Sequence, residues 1–153
     1  MPPTTVTVQE LAALAETDLG VSDWLDIEQP RVDIFADATN DPQWIHVDPV
    51  RAAAGPFGTT IAHGYLTMSL IPYLLDQLLT ITDQERGANY GVDRARFTHP
   101  VRVGSRIRMR ARLLAVTPRS DGGFQFKVSV TIEIEGEERP ALVGEFLYLT
   151  YGP

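Results

Sequence analysis

The pattern of apolar and polar positions divides this chain into a helical first half and a stranded second half. From Val8 to Leu19 the positions Leu11, Leu14 and Ala15 fall at helical spacing, so a short helix is expected there. Ser22 to Ile27 reads as a first strand, or the lead into one, closed by Pro30. Gln29 to Thr39 sets Val32, Phe35, Ala36 and Thr39 on one helical face. Asn40 to Val47 is then a loop. Asp48-Pro49 opens another helix, with Asp as N-cap and Pro in the first helical position, and Gly55-Pro56 stops it. From Gly64 to about Leu79 the residues are apolar nearly all round, so this helix must be wrapped by other structure. Pro72 in its middle removes one backbone hydrogen bond and predicts a kink.

After Gly87 the period changes from helical to two. Arg106 to Leu113 and Phe124 to Glu135 alternate strictly, each with one buried face and one wet face. Pro118 to Gly123 is the turn between them. The alternation predicts a register with Arg108 opposite Glu133, Arg106 opposite Glu135, and the turn centred on Ser120-Asp121. A slip of one residue would bury the arginines and expose the apolar set. Asn89 to Phe97 is a further strand. Gly136 marks a second turn, and Leu142 to Tyr151, apolar on both faces, is expected in the sheet interior. The sum is an α+β fold: an antiparallel sheet covering one long apolar helix.

At 153 residues, with 44% hydrophobic and 22% charged residues, the chain can bury a substantial core as one domain. The net charge of −7 argues against nucleic-acid binding. Its basic residues are nevertheless concentrated between Arg94 and Arg112. The alternating arginines 106, 108, 110 and 112 read as a solvated strand face balanced by Glu133 and Glu135; the competing reading is a phosphate dock. With no cysteine there is no thiolate nucleophile and no Cys-based metal site, which fits a cytoplasmic protein. The first residues lack the basic and apolar regions of a signal peptide, and Tyr65 to Leu79 is too short and too polar to span a bilayer, which needs about 20 apolar residues. No membrane association is expected.

The candidate chemistry lies between Phe35 and Leu79. Asp41 and His46 sit in one loop, and His63-Gly64 opens the apolar helix. A loop can turn both side chains toward one point, and a helix start can aim a free backbone N–H at it. An acid, a base and an oxyanion donor suffice for adding water to, or eliminating it from, a double bond beside a carbonyl. Histidine, titrating near ~6.5, suits a base at neutral pH; aspartate, near ~3.9, donates a proton only where burial raises its pKa. The competing reading is an Asx turn and a surface histidine, because Asn-Asp-Pro is a turn signal by itself. Glycine at 64 would let an oxygen approach the backbone closely, or would serve helix packing alone. His63 is expected to order the loop rather than act as a second base. His46, His63 and His99 form no metal-ligand motif, so no metal is expected.

These residues resemble the MaoC-like family of the hot-dog fold, and within it the (R)-specific enoyl-CoA hydratases. The family motif runs aromatic-x-x-x-small-Gly-Asp-x-Asn-Pro-aliphatic-His-x-Asp-Pro, followed by His-Gly at the central helix. Asp41, Ile45, His46, Asp48-Pro49 and His63-Gly64 match it, as does the later Phe97-x-x-Pro100-Val101-x-Val103-Gly104. Asn40 replaces the motif glycine, and Gln43-Trp44 replaces Asn-Pro. The resemblance covers about residues 30 to 151 and implies one MaoC-like hot-dog domain over residues 1–153.

It further implies hydration of a trans-2-enoyl-CoA to an (R)-3-hydroxyacyl-CoA, or the reverse, with Asp41 and His46 holding one water and Gly64 as oxyanion donor. Tyr65 would contact the substrate, Pro72 and Leu75 would line the acyl pocket, and Arg94, Arg96 and Arg102 would stand nearer the rim as candidates for coenzyme A phosphates. Coenzyme A is part of the substrate, and no separate cofactor is implied. A homodimer is implied, because hot-dog domains pair their open sheet edges. The alternatives are an acyl-carrier-protein dehydratase, a thioesterase of the same fold, and a non-catalytic acyl-thioester-binding subunit.

Overall fold

The computed structural model describes residues 2–153. In chain order the elements are strand β1 (Thr4–Val6), a 3₁₀ helix (Glu10–Leu14), strands β2 (Thr17–Val21) and β3 (Leu25–Asp26), helices α1 (Gln29–Thr39), α2 (Trp44–Val47), α3 (Pro49–Ala53), α4 (Gly64–Ser69) and α5 (Ile71–Leu75), then β4 (Leu79–Ile81), β5 (Arg86–Phe97), β6 (Arg106–Pro118), β7 (Phe124–Ile134) and β8 (Leu142–Tyr151). The large antiparallel sheet runs β2-β6-β7-β8-β5, with β3 also paired to β6. Its inner face meets α4 and α5. This is the expected hot-dog arrangement, and β8 takes the interior position its two apolar faces predict.

Alternation along β6 and β7 decides which face is inner. Ile107, Met109, Ala111 and Leu113 are buried with Val128, Val130, Ile132 and Ile134, and Leu66, Ile71, Leu74 and Leu75 pack on them from the helices. Each of these side chains larger than alanine contributes about 1.5–3 kcal/mol on burial. The predicted register holds from Ile107↔Ile134 to Leu113↔Val128, with Arg108 opposite Glu133. A β-bulge after Leu113 then shifts it, so that Ala115 faces Lys127. The turn therefore centres on Asp121, half a residue beyond the expected midpoint, with the Arg119 N–H on the Gly123 carbonyl at 2.8 Å and Gly122 at φ 90°.

On the outer face Arg108 lies 2.6 Å from Glu133, Arg110 lies 3.3 Å from the same carboxylate, and Arg106 pairs with Glu135. The Arg108 guanidinium also covers Trp24 at 4.3 Å. Arg106, Arg108 and Arg110 thus form an ion-paired outer face.

Four expected elements are corrected, the first being the Asn40 to Val47 loop, whose second half is helix α2 with His46 on it. Val8 to Leu19 is not one helix: a Thr7/Glu10 capping box starts the 3₁₀ turn, with Thr7 N–H on Glu10 at 2.8 Å and Glu10 N–H on Thr7 at 3.2 Å. Glu16 at φ 62° ends it, and Thr17–Val21 pairs with the otherwise open edge of β6. Ser22 to Ile27 contributes only the two residues of β3. The central apolar helix is two helices rather than one. Pro72 has no N–H to give and forces a break at Leu70; beyond Leu75 the chain leaves the helix, and Leu79–Ile81 pairs in parallel with Thr4–Val6.

β5 closes the other side of the sheet as a long edge, with Tyr90, Val92 and Phe97 all exposed. Among the described residues no helix is long and apolar enough to cross a membrane.

Candidate active site

The loop that carries Asp41 is set by how α1 ends. Asn40 takes the left-handed conformation (φ 55°, ψ 41°), its N–H reaching Asp37 while the Asp41 N–H reaches Ala36 at 3.0 Å. This is a Schellman turn, which favours glycine and accepts asparagine next. Asn40 therefore does conformationally what the motif glycine does. Trp44 stands where the motif has proline and is the first residue of α2. Its ring packs against Gly55, where a Cβ would come within 3.0 Å, and the Arg51 guanidinium lies 4.3 Å from it.

His46 is buried at 7% exposure. Its Nδ1 is 2.7 Å from the Ile61 carbonyl, so Nδ1 carries the proton and donates, and Nε2 keeps a free lone pair. Ile61 sits in an extended strap held on both sides: its N–H donates to Ile45 at 2.9 Å, and the Ala62 N–H donates to Val101 at 2.8 Å. Gln29 adds a second restraint. Its Nε2–H donates to the His46 carbonyl at 2.7 Å, while the Thr60 hydroxyl donates to its Oε1 at 2.6 Å. Gln29, Thr60 and Ile61 lie in no local motif, and sequence reading missed them. Burial lowers the His46 pKa below the ordinary value and the neighbouring His63 adds to this; the Ile61 bond and Asp41 oppose it.

His63 is buried at 3% exposure and stacks on His46, with ring centroids 3.7 Å apart at 22°. Its Nε2–H donates to the Asp41 carbonyl at 3.0 Å, and Phe35 flanks it at 4.9 Å. It ties the Asp41 backbone to the His46 ring. Asp41 itself is 54% exposed, with one carboxylate oxygen 3.9 Å from His63 Nε2. Asp41, His46 and His63 each hold one polar atom within 4.8 Å of the others. The two histidines, far apart in sequence, are thus brought together, while His99 is not part of this group. An ion shared by two rings stacked at 3.7 Å would lie well out of both ring planes, whereas imidazole lone pairs lie in plane.

Gly64 begins α4, so its N–H has no partner within the helix. A Cβ there would meet the Phe97 ring at 2.9 Å, which accounts for glycine. His46, Gly64, Thr67, Phe97 and His99 line one cavity of about 310 Å³. Tyr65, 67% exposed, lies edge-on to Phe97 at 5.8 Å beside it. Pro72 and Leu75 line a separate cavity of about 490 Å³ between α5 and strands β5 and β8.

Arg94 and Arg96 are not brought to this cleft. They share the outer sheet face with Ser129 and Thr131 around another cavity, and Arg94 lies 3.5 Å from Glu145. Two-residue alternation along β5 sends Ala95 and Phe97 inward and the arginines outward.

Residues 10–135 match the MaoC like domain. The chain belongs to the MaoC-like dehydratase family. It is 51% identical over 138 residues to 3-hydroxyacyl-thioester dehydratase Z of Mycobacterium tuberculosis, covering 90% of this chain and 91% of that one. It is 46% identical over 132 residues to nodulation protein N of Rhizobium leguminosarum bv. viciae, covering 85% and 82%. The solved structure of the unliganded R-hydratase PhaJ1 from Pseudomonas aeruginosa superposes with a TM-score of 0.74 at 20% identity, covering 91% of this chain and 83% of that one. This MaoC-like protein therefore has the hot-dog fold of that hydratase, and Asp41 and His46 lie inside the matched segment.

Proposed function

We propose that this protein is an (R)-specific hydratase–dehydratase acting on 2-enoyl and 3-hydroxyacyl thioesters, as a single cytoplasmic hot-dog domain. One observation carries the reading: a buried, neutral-tautomer histidine shares a cavity with the first residue of a helix, and a carboxylate stands within 4.8 Å of that histidine. The named activities of the dehydratase relative and the hydratase neighbour support the same chemistry.

A separation within 4.8 Å is what two hydrogen bonds through one water span. His46 Nε2 takes a proton from that water as its oxygen bonds to C3. The second proton passes through Asp41 to C2, and the imidazolium then returns its proton to the new C3 oxygen. The Gly64 N–H meets the negative charge that develops on the thioester oxygen, an interaction typically worth ~3 kcal/mol of barrier. A route in which Asp41 starts as the proton donor depends on its burial, and its side chain is half exposed. The shared-water route has no such requirement.

His46 must be neutral to act. Because burial lowers its pKa, the neutral form persists to lower pH, and activity falls only as pH drops through that lowered value. The acidic limb of kcat/KM is expected below the ~6.5 of an ordinary histidine; a limb at or above it would assign the base elsewhere.

Pro72 and Leu75 bound the acyl path. Leu75→Phe is expected to shorten the preferred acyl chain, read as kcat/KM across a 2-enoyl-CoA length series, and an unchanged preference would move the pocket away from α5. The exposed β5 edge calls for a second copy to continue the sheet. Sedimentation at micromolar concentration is expected to give twice the 16.9 kDa chain mass, and a mass of 16.9 kDa would refute the pairing. Configuration of the product from crotonyl-CoA tests the function itself: the (R)-3-hydroxy product is expected, and the (S) product would contradict it.

A further inference from the structure

Helix α2, which carries His46, is a single turn, Trp44–Val47. One turn forms too few internal hydrogen bonds to repay the cost of fixing its backbone, so its position is set by what holds it from outside. Its carbonyls show how. Trp44 accepts from the Asp48 N–H at 3.1 Å. Ile45 would next accept from residue 49, but Pro49 has no N–H. The Ile61 N–H donates to the Ile45 carbonyl instead, at 2.9 Å, and the Gln29 side-chain amide donates to the His46 carbonyl at 2.7 Å.

Gln29 is the first residue of α1, and its amide is fully used. Nε2 also donates to Asp33 Oδ1 at 2.9 Å, and Oε1 accepts from the Thr60 hydroxyl at 2.6 Å. Chemistry fixes this orientation: a carbonyl and a carboxylate can only accept, so the amide nitrogen must face them. Thr60 is 1% exposed, and its own carbonyl accepts from the Val103 N–H at 2.9 Å, beside the bridge of Ile61 to Arg102. The pair Thr60–Ile61 therefore reaches His46 at two points. The Ile61 carbonyl holds the ring at Nδ1, and Thr60 holds the backbone through Gln29. With both tied, the direction of Nε2 is set. Neither Gln29 nor Thr60 lines the cavity that His46 shares with Gly64, so both act through His46.

We propose that Gln29 is a positioning residue of the reaction: locked by Thr60, its amide holds the one-turn helix under His46 and so fixes where the imidazole Nε2 meets the attacking water. This rests on the hydratase reading of the same cleft and adds to it two residues that touch no substrate.

The test combines kinetics with a signal from the His46 ring itself. Gln29→Met removes all three hydrogen bonds, and Gln29→Glu turns oxygens toward the His46 carbonyl and Asp33. Each is expected to lower kcat on crotonyl-CoA by about tenfold or more, because a misplacement of about 1 Å can cost a hundredfold. KM is expected to stay near the parent value. Thr60→Val should lower kcat in the same way, and Thr60→Ser, which keeps the hydroxyl, should retain it. Thr60→Val added to Gln29→Met should cost little more, because the two residues form one chain of bonds. Proton NMR of the protein with isotope-labelled histidine gives the second readout. The His46 Nδ1–H should exchange with solvent faster in Gln29→Met and Thr60→Val than in the parent, and no faster in Thr60→Ser. If the Gln29 variants do not fold, the two Thr60 variants decide. Parent kcat with parent Nδ1–H exchange in Gln29→Met or Thr60→Val would overturn the proposal. So would equal loss in Thr60→Ser and Thr60→Val, or a rise in KM that accounts for the whole effect. A folded parent that hydrates no enoyl thioester would remove the hydratase reading, while the exchange rates would still show whether Gln29 holds His46.

Discussion

Asp41→Asn and His46→Gln are each expected to lower kcat by about a hundredfold or more, the scale of a general acid or base removed from a positioned site. The two variants test different halves of one device. Asp41 is half exposed, and its fold-relevant bonds run through its backbone: the N–H to Ala36 and the carbonyl to His63. Its side chain can therefore lose charge without loosening the loop. His46 is buried, but glutamine retains an N–H able to reach the Ile61 carbonyl, so the strap stays attached. Thermal unfolding of both variants is expected to stay close to the parent. Full activity in either variant would remove that residue from the mechanism. The double variant should lose little more than the worse single one, because residues that act on one water act as a unit.

Gly64→Ala is the second variant with a large expected effect. The new methyl would lie 2.9 Å from the Phe97 ring carbon nearest the backbone, well inside van der Waals contact. Either the ring or the start of α4 must move. Overpacking of this kind costs about 1–3 kcal/mol, and the displaced ring also lines the His46 cavity. Both stability and kcat are expected to fall, kcat by about tenfold or more if the Gly64 N–H shifts away from the thioester oxygen. Adding Phe97→Ala should restore stability by opening the space. A neutral Gly64→Ala would show that the close approach of helix and strand is not needed.

Much of this architecture was legible because its signals are local. Helix α1 spans Gln29–Thr39 as its apolar face predicts, and Asp48 caps α3 by accepting from the Arg51 N–H at 3.0 Å. Strict alternation in β6 and β7 set both the inner face and the register up to Leu113. The failures are non-local or conformational. Thr17–Val21 is a strand because the edge of β6 was free to pair, a fact outside any window around Leu11 and Leu14. Leu79 leaves the helix because Thr4–Val6 lies ready to pair with it. The bulge near Leu114 has no strong residue signature and moved the turn.

The site shows the same division. The Asp41–His46 spacing was visible at once, and the αL position explains why asparagine can stand for glycine at 40. The restraint on His46 was invisible: Gln29 and Thr60 are brought together only by the fold. Arg94 and Arg96 take the outer sheet face, which proximity in sequence to Phe97 does not decide.

The central claim is that this cleft adds water across a conjugated thioester. Crotonyl-CoA mixed with the purified protein measures it directly, by following the enoyl absorbance and free thiol in the same sample. Loss of absorbance without thiol release, abolished in Asp41→Asn and His46→Gln, is the predicted result. Thiol release with the enoyl group intact would make the protein a thioesterase and contradict the account.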